Sequence, residues 1–575
     1  MNRILKMPIL LLTAFSVFAE PATHNVVDFG ADPTGAKASH WEIRKAIDKA
    51  QSGDVVFFPK GRYFIEKCLW VYEKKKVTFR GEPGTVIVTH CNPWGDELES
   101  PVGFQLTRCE DVVIENFTFT TDNPIGCVGT VLGTDGQANT IDFRIDDDFP
   151  ATGREHFFQL NTYEGDGTPD GALETHQDIR EKKLADGTTV YEGLPYQLVA
   201  PRVARIQLPK WAGVSAVTNG HRMLVRYFRR FGSPLALDAV KRVRVENFEI
   251  ERTPFVGCVV SPPSEDITFR RFSIRPKVGD PNVCASNADG IHFNACGGSV
   301  VLEDCHFVGL GDDALNVHCL GAEVKTYDPA TGKIELHARG GTDRKPHQIE
   351  PNWAEVGQTL EFYDPKTLQL KGRAKLKAFV NDRSGRGELE TDDFQPQVGD
   401  FVANGNYFPS VRISNCSVRN TRARAFLLQT RNVLVENCVF YGLKSAAVLL
   451  VCDMVFWNEM GPVVNAEVRN CSFEKCAKGW PGRDEHYYGA LAVKGKHGDG
   501  LSDAPAGLHR NIRFLNNTFE DIGSQPIFVE STDGVEIRGN RYENCANDRN
   551  PPPEMLVAPV RLHNCTNVVI DCNRY

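Results

Sequence analysis

The phrase "VVIENFTF", beginning at residue 112, alternates apolar and polar positions, then breaks at an asparagine before a second short alternation. It returns as "VRVENFEI" from 243, "ITFRRFSI" from 267, "VVLEDCHF" from 300, "VRISNCSV" from 411, "VLVENCVF" from 433, "AEVRNCSF" from 466, "IRFLNNTF" from 512 and "VEIRGNRY" from 535. Alternation with a period of two, interrupted by Asn, Asp or Gly, reads as strand, turn, strand. The residues at the Asn position are 22 to 24 apart at 247 and 271, 415 and 437, and 516 and 539, and several other intervals are longer by about ten. A unit of that size cannot bury its own apolar face and must stack on its neighbours. Helical spacing is absent from these units. The pattern therefore predicts an all-β protein built on a parallel β-helix, with the recurring asparagine at a bend, in left-handed backbone and bonded to its neighbours along the stack.

Two intervals lack the phrase. Residues 122–240 and 320–402 are rich in "DG", "TG" and "GD" turns and alternate in short runs such as "GKIELHA" and "TLEFYD". Both are assigned to small, barrel-like antiparallel β domains inserted between coils. The second begins just after His318. Residues 20–121 hold a cap and the first coils, with a short helix pattern at Trp41, Ile43, Ala46, Ile47 and Ala50 that would cover the open end of the solenoid. Residues 241–319 and 403–575 complete the coils.

The first nineteen residues carry Arg3 and Lys6, then "PILLLTAFSVF" and the small residue Ala19, which is the pattern of a removable signal peptide. The apolar run is shorter than the roughly twenty residues a spanning helix needs, and no other stretch could cross a bilayer. The mature protein is expected to be exported, periplasmic or extracellular. Acidic residues outnumber basic ones by 74 to 65, for a net charge of −9, and no basic patch stands out. That argues against nucleic acid and against polyanionic substrates. The 17 cysteines are an odd number, and Cys305, Cys416, Cys438 and Cys471 fall at one position of the repeat, so stacked thiols explain them better than disulfides. No His or Cys cluster has ligand spacing, so no metal and no other cofactor is expected.

The stretch "ADGIHFNACGGSVVLEDCHFVGLGDDALNVH" places Asp289, Asp312 and Asp313 among glycines and small apolar residues. With one coil of about 23 residues, Asp289 and Asp312 should lie at equivalent angles on neighbouring coils, with backbones about 4.8 Å apart. Asp313 would point inward in a regular strand, where an unpaired carboxylate is too costly, so a bend or bulge is expected to turn both aspartates into one cleft. Clustered carboxylates repel, which keeps one protonated and another ionised. Glycosidic cleavage needs such an acid and base. Asn316 and His318 continue the same strand, positioned to orient the acid or hold a sugar hydroxyl, with His292 and Asn294 on the coil beneath. Three aspartates in register also suit a calcium site, in a lyase or in a non-catalytic, adhesive β-helix.

The "ADG" at 288, "GDDA" at 311 and "NVH" at 316 resemble the catalytic strands of polygalacturonases, and more closely those of glycoside hydrolase family 110, the exo-acting α-1,3-galactosidases. The resemblance extends through "NTRARAFLLQTRNVLVENC" from 420 and "FWNEMGPV" from 456. It implies a right-handed β-helix and hydrolysis with inversion, with Asp312 as acid and Asp289 and Asp313 holding the water, although acid and base could be exchanged. The Arg-x-Lys that grips a galacturonate in polygalacturonases is missing on the coil after the aspartates, so a neutral sugar fits better. Arg422, Arg424 and Gln429 are then candidates to bind hydroxyls. Trp457 is a candidate to stack on the apolar face of galactose, with Glu459 beside it. The partner is a carbohydrate, the terminal galactose of a branched (blood group B-type) or linear glycan, and an inserted domain could pair two chains. A polygalacturonase-like glycosidase of the same fold is the alternative enzyme.

Overall fold

The computed structural model describes residues 21–90, 103–176, 180–183, 189–227, 232–340, 345–350, 352–390, 394–454, 457–478, 489–495, 503–546 and 558–574. Residues 1–19, expected to be a leader, lie outside the described residues. The regular structure is almost all strand, and most strands lie in two long parallel sheets that wind together as a β-helix. One sheet has 21 strands, from Thr23–Asn25 to Thr566–Asp571, and contains every repeated phrase. The other runs through Leu69–Tyr72, Phe104–Thr107, Leu235–Asp238, Cys258–Ser261, Ile291–Asn294, Leu315–Asp328, Phe426–Gln429, Val448–Val451, Leu491–Lys494, Ile527–Glu530 and Val560–His563. Among the described residues no helix is long and apolar enough to cross a membrane.

The alternation explains the core. In Lys241–Ile250, Val243, Val245, Phe248 and Ile250 are buried while Arg244 is exposed. The last aromatic of each phrase forms a column inside the solenoid. Phe440, Phe473, Phe519 and Tyr542 stack at centroid distances of 4.8, 4.8 and 5.3 Å, contacts each worth about 0.5–1.5 kcal/mol beyond burial. The bend residues Asn116, Asn247, Asn415, Asn437, Asn470 and Asn516 all have positive φ. Asn247 donates to Asn116 at 3.0 Å, and a second ladder, not announced by the phrase, runs Asn511 to Asn465 to Asn432. The cysteines of the described residues are unpaired, with Cys416 and Cys471 sulfurs accepting from the backbone of Cys305 and Cys438.

At the open end, helix His40–Lys49 buries Ile43, Ala46 and Ile47. Trp41, expected on that face, is instead 60% exposed.

The two insertions differ. The first is an open antiparallel sheet of seven strands, with Pro169–His176 at one edge and Tyr196–Ala200 at the other, around its own core of Phe143, Phe157, Leu160 and Met223. The second closes on itself: Leu315–Asp328, Lys333–Gly340, Arg386–Leu389, Leu370–Phe379, Thr359–Tyr363 and Phe401–Asn404 pair in a ring around Trp353, Leu360 and Phe362. No loop separates this barrel from the solenoid. The 14-residue strand Leu315–Asp328 begins between solenoid strands and ends as a barrel strand.

Candidate active site

Three turns precede the solenoid strands Ile291–Asn294, Leu315–Asp328 and Phe426–Gln429, and they stack. Ile291 pairs with Leu315, and Leu315 with Phe426. This register sets Asp289 over Asp313 and Asp313 over Arg424, and the backbone confirms it: Gly290 N donates to Asp313 O at 2.8 Å and Ala314 N to Arg424 O at 3.3 Å. The coil is one residue longer than the expected 23, so Asp313, not Asp312, is the stacking partner of Asp289. Asp312 sits one position earlier, its N donating to Ala288 O at 3.2 Å. The turn admits no side chain at its glycines. A Cβ on Gly311 would lie 2.4 Å from Asn287 O, and one on Gly290 2.5 Å from Ala314 O.

The bend expected at Asp313 is present in effect, because one oxygen from each of Asp289, Asp312 and Asp313 lies within 4.8 Å of the others. Asp313 is only 1% exposed. Its Oδ1 accepts from Arg424 Nε at 2.7 Å and from Arg424 N at 3.3 Å. Burial pushes the Asp313 carboxyl up to about 7; the Arg424 guanidinium opposes this, and the charges of Asp312 and Asp289 add to it.

A second cluster adjoins the first. His292 Nδ1 contacts Asp289 Oδ2 at 3.3 Å, and its Nε2 contacts His318 Nε2 at 3.0 Å. Burial alone would lower His292, but the hydrogen bond and charge of Asp289, with Glu459 and Asp313 beyond, raise it to about 9. His318 moves the other way, lowered by burial and by the positive His292 despite Glu459. A cationic His292 thus donates to Asp289 on one side and to a neutral His318 on the other. Glu459 is buried; Gln429 Nε2 donates to it at 2.7 Å and Asn316 Nδ2 at 3.5 Å. Burial would raise Glu459, and the two histidines and Gln429 outweigh it and hold its carboxyl low. The amide oxygens of Asn294 and Asn316 are buried and accept no hydrogen bond from the protein.

Either trio, Asp289 with Asp312 and Asp313 or His292 with His318 and Glu459, has donor atoms close enough to chelate a cation. The histidine trio was not legible from local spacing, since its members come from three separate coils. In the aspartate trio, Arg424 and His292 already supply positive charge.

Asp289, Asp312, Asp313, His292, Asn316, His318, Arg424, Gln429 and Glu459 thus form one connected group, with Asn294 next to it on the strand of His292. Arg422 and Trp457 stand apart. Arg422 donates Nε to Glu174 and Nη1 to Gly311 O at 2.9 Å, and Trp457 is 55% exposed at the turn before Glu459. No local pattern announces the residues that brace the aspartate turn from the first insertion. Glu174 is buried between Arg422 and Lys444. Burial would raise its carboxyl, but these two cations hold it below the usual range. Arg226, also buried, donates to Leu310 O at 3.3 Å. The carbonyls of residues 310 and 311, just before the aspartates, are therefore both held by guanidinium groups.

Residues 23–123 match a family model described as rhamnogalacturonase A/epimerase, pectate lyase-like, and residues 401–547 match one described as right handed beta helix region. Over 554 residues the chain is 24% identical to alpha-1,3-galactosidase A of Bacteroides fragilis, covering 90% of this chain and 86% of that protein. It is 24% identical over 596 residues to alpha-1,3-galactosidase B of Bacteroides thetaiotaomicron, covering 98% and 92%. A solved Yersinia enterocolitica family 28 exopolygalacturonase aligns over 96% of this chain and 79% of its own at 13% identity, with a TM-score of 0.44, too remote to bear on function. The resemblance carried by the aspartate motifs therefore runs through nearly the whole chain, and the solenoid is of the right-handed kind.

Proposed function

We propose that the protein is an exo-acting glycoside hydrolase that removes terminal α-1,3-linked galactose from neutral glycans. The observation that carries this reading is the group of three aspartates gathered on the stacked turns before the solenoid strands, one of them buried against Arg424, in a chain similar over most of its length to proteins named alpha-1,3-galactosidase. Two features support its parts. The absence of a second cation aimed at a substrate carboxylate suits a neutral sugar, since among the described residues Arg424 is taken by Asp313 and Arg422 by Glu174. The face beyond Asn316 is closed, because Leu427, Leu449 and Ala492 are buried and the chain packs on Gln429 at Asp453 and at Gly461. A sugar entering from one side meets a wall, which suits removal of chain ends.

The chemistry follows from the environments. Burial raises the Asp313 carboxyl to about 7, and adjacent carboxyls titrate as a pair. Arg424 favours charge on Asp313, which leaves the proton to Asp312 as general acid for the leaving oxygen. Asp313, bonded to Arg424, and Asp289, in contact with His292, are placed to orient and deprotonate a water. The spacing of at most 4.8 Å between nearest oxygens is tighter than the roughly 6.5–9.5 Å common for inversion and near the roughly 5–5.5 Å of retention. Asp313, however, is buried and its Oδ1 committed to Arg424, and Asp289 is tied to His292, so neither is placed as a lone nucleophile. The reading is inversion. Proton NMR of galactose released from an α-1,3-galactosyl disaccharide should show the β-anomer before mutarotation. Initial α-galactose would reverse the role assignments, and no galactose at all would remove the proposed activity.

A further inference from the structure

The outward face of the sheet that carries His292 and Asn316 continues in both directions along the stack, and the two directions differ. On the far side the residues in register, Leu427, Leu449, Ala492 and Phe528, are all buried. On the near side the row runs His292, Val259, Ala236, Gln105, Trp70, with no member fully buried. The row beside it runs Ser261, Asp238, Thr107, Tyr72, and it too stays open. At about 4.8 Å per coil, Trp70 lies roughly 19 Å from His292, the reach of several linked hexoses.

This open strip ends on two aromatic rings. Trp70 is 56% and Tyr72 49% exposed, and as alternate residues of strand Leu69–Tyr72 they face the same way. Neither ring is loose. The indole Nε1 donates to Gln105 Oε1 at 2.7 Å, and Arg108 Nη1 donates to the Tyr72 hydroxyl at 2.9 Å. Two ordered exposed rings, with the polar groups of Gln105, Thr107 and Asp238 beside them, match the alternating apolar faces and hydroxyls of a sugar chain.

We propose that Trp70 and Tyr72 form a distal subsite for the reducing-end portion of the glycan whose terminal galactose sits at the aspartates. This rests on the galactosidase reading for the position of the cut sugar. It commits to one occupant because the strip is continuous with the candidate active site and open only on this side. The protein should then prefer a long galactose-capped glycan to a galactosyl disaccharide.

The test compares kcat/KM on an α-1,3-galactosyl disaccharide with that on a galactose-capped linear hexasaccharide. Trp70→Ala and Tyr72→Ala should each reduce the long-to-short ratio by roughly three- to tenfold, the worth of one aromatic contact. Trp41→Ala, an exposed tryptophan on the cap helix, should keep the wild-type ratio. A second arm needs no turnover: calorimetric binding of a neutral pentasaccharide of alternating galactose and N-acetylglucosamine, lacking the cap, should weaken by the same factor in Trp70→Ala. Equal ratios and equal binding in wild type and both variants would overturn the subsite. A wild type that binds the pentasaccharide through Trp70 but releases no galactose would support the subsite and sink the galactosidase reading instead.

Discussion

Replacing Arg424 by glutamine separates the acid from the base. The guanidinium is the charged partner of Asp313, at 2.7 Å between Nε and Oδ1. With charge centres about 4 Å apart and an effective dielectric constant of about 20, their attraction is about 4 kcal/mol, or about three pK units at 1.36 kcal/mol each. Water admitted by the shorter side chain will screen part of this, so the Asp313 carboxyl should rise by about 1–3 units from its already raised value near 7. The sign is fixed, because losing a positive neighbour disfavours the ionised form. If Asp313 works ionised, holding the water, the acid limb of kcat/KM moves up by that amount. Activity at low pH then falls by about one to three orders of magnitude and recovers under alkaline conditions. The assay is galactose release from the disaccharide across pH 4–10, with Arg424→Lys as a control that keeps the charge. Movement of the alkaline limb instead would make Asp313 the acid and refute the assignment. A uniform loss at every pH, with both limbs in place, would show that Arg424 sets geometry and not charge.

Asp289→Asn, Asp312→Asn and Asp313→Asn should each lose about 10²- to 10⁴-fold in kcat while retaining the wild-type circular dichroism, and near-normal turnover in any one would remove it from the mechanism. Glu174→Gln leaves buried Lys444 and the largely buried Arg422 without their carboxylate, which should destabilise the protein by about 3–5 kcal/mol in denaturant titrations. Because the folded-state carboxyl is held low, this contribution is full above the ordinary carboxylate range and is lost as pH falls through the depressed value. A variant as stable as wild type at neutral pH would show that the clamp carries nothing. Activity should survive EDTA, since Arg424 and cationic His292 balance the aspartates, and loss restored by calcium would show instead that the carboxylates work through a bound ion.

The fold was legible because its signal is repeated. Each phrase alone is an ambiguous short alternation, but nine copies fix the strands, the bends and the inward aromatic column of Phe440, Phe473 and Phe519. Trp41 was misplaced because a ten-residue helix on the end of a solenoid has a narrow buried stripe, and one exposed aromatic hardly disturbs the pattern. The register of the aspartates needed one fact that counting could not supply. A coil lengthens by a residue at a turn without any change of alternation, and that single residue decides whether Asp312 or Asp313 stands over Asp289.

What escaped the sequence entirely are contacts between elements far apart in the chain. Glu174 meets Arg422 across 248 residues and Lys444 across 270, and Arg226 reaches Leu310 across 84. None of them carries a local motif, because a buried ion pair needs only that two surfaces meet. Their placement ties the first insertion to the aspartate turn. Stacked turns with glycines at 290 and 311 lack side chains to pin them, and three carboxylates crowded within 4.8 Å repel one another. Guanidiniums on the carbonyls of residues 310 and 311 oppose that repulsion at the point where the turn would yield. The inserted sheet therefore acts on the aspartate turn through its backbone, by Arg226 directly and by Glu174 through Arg422.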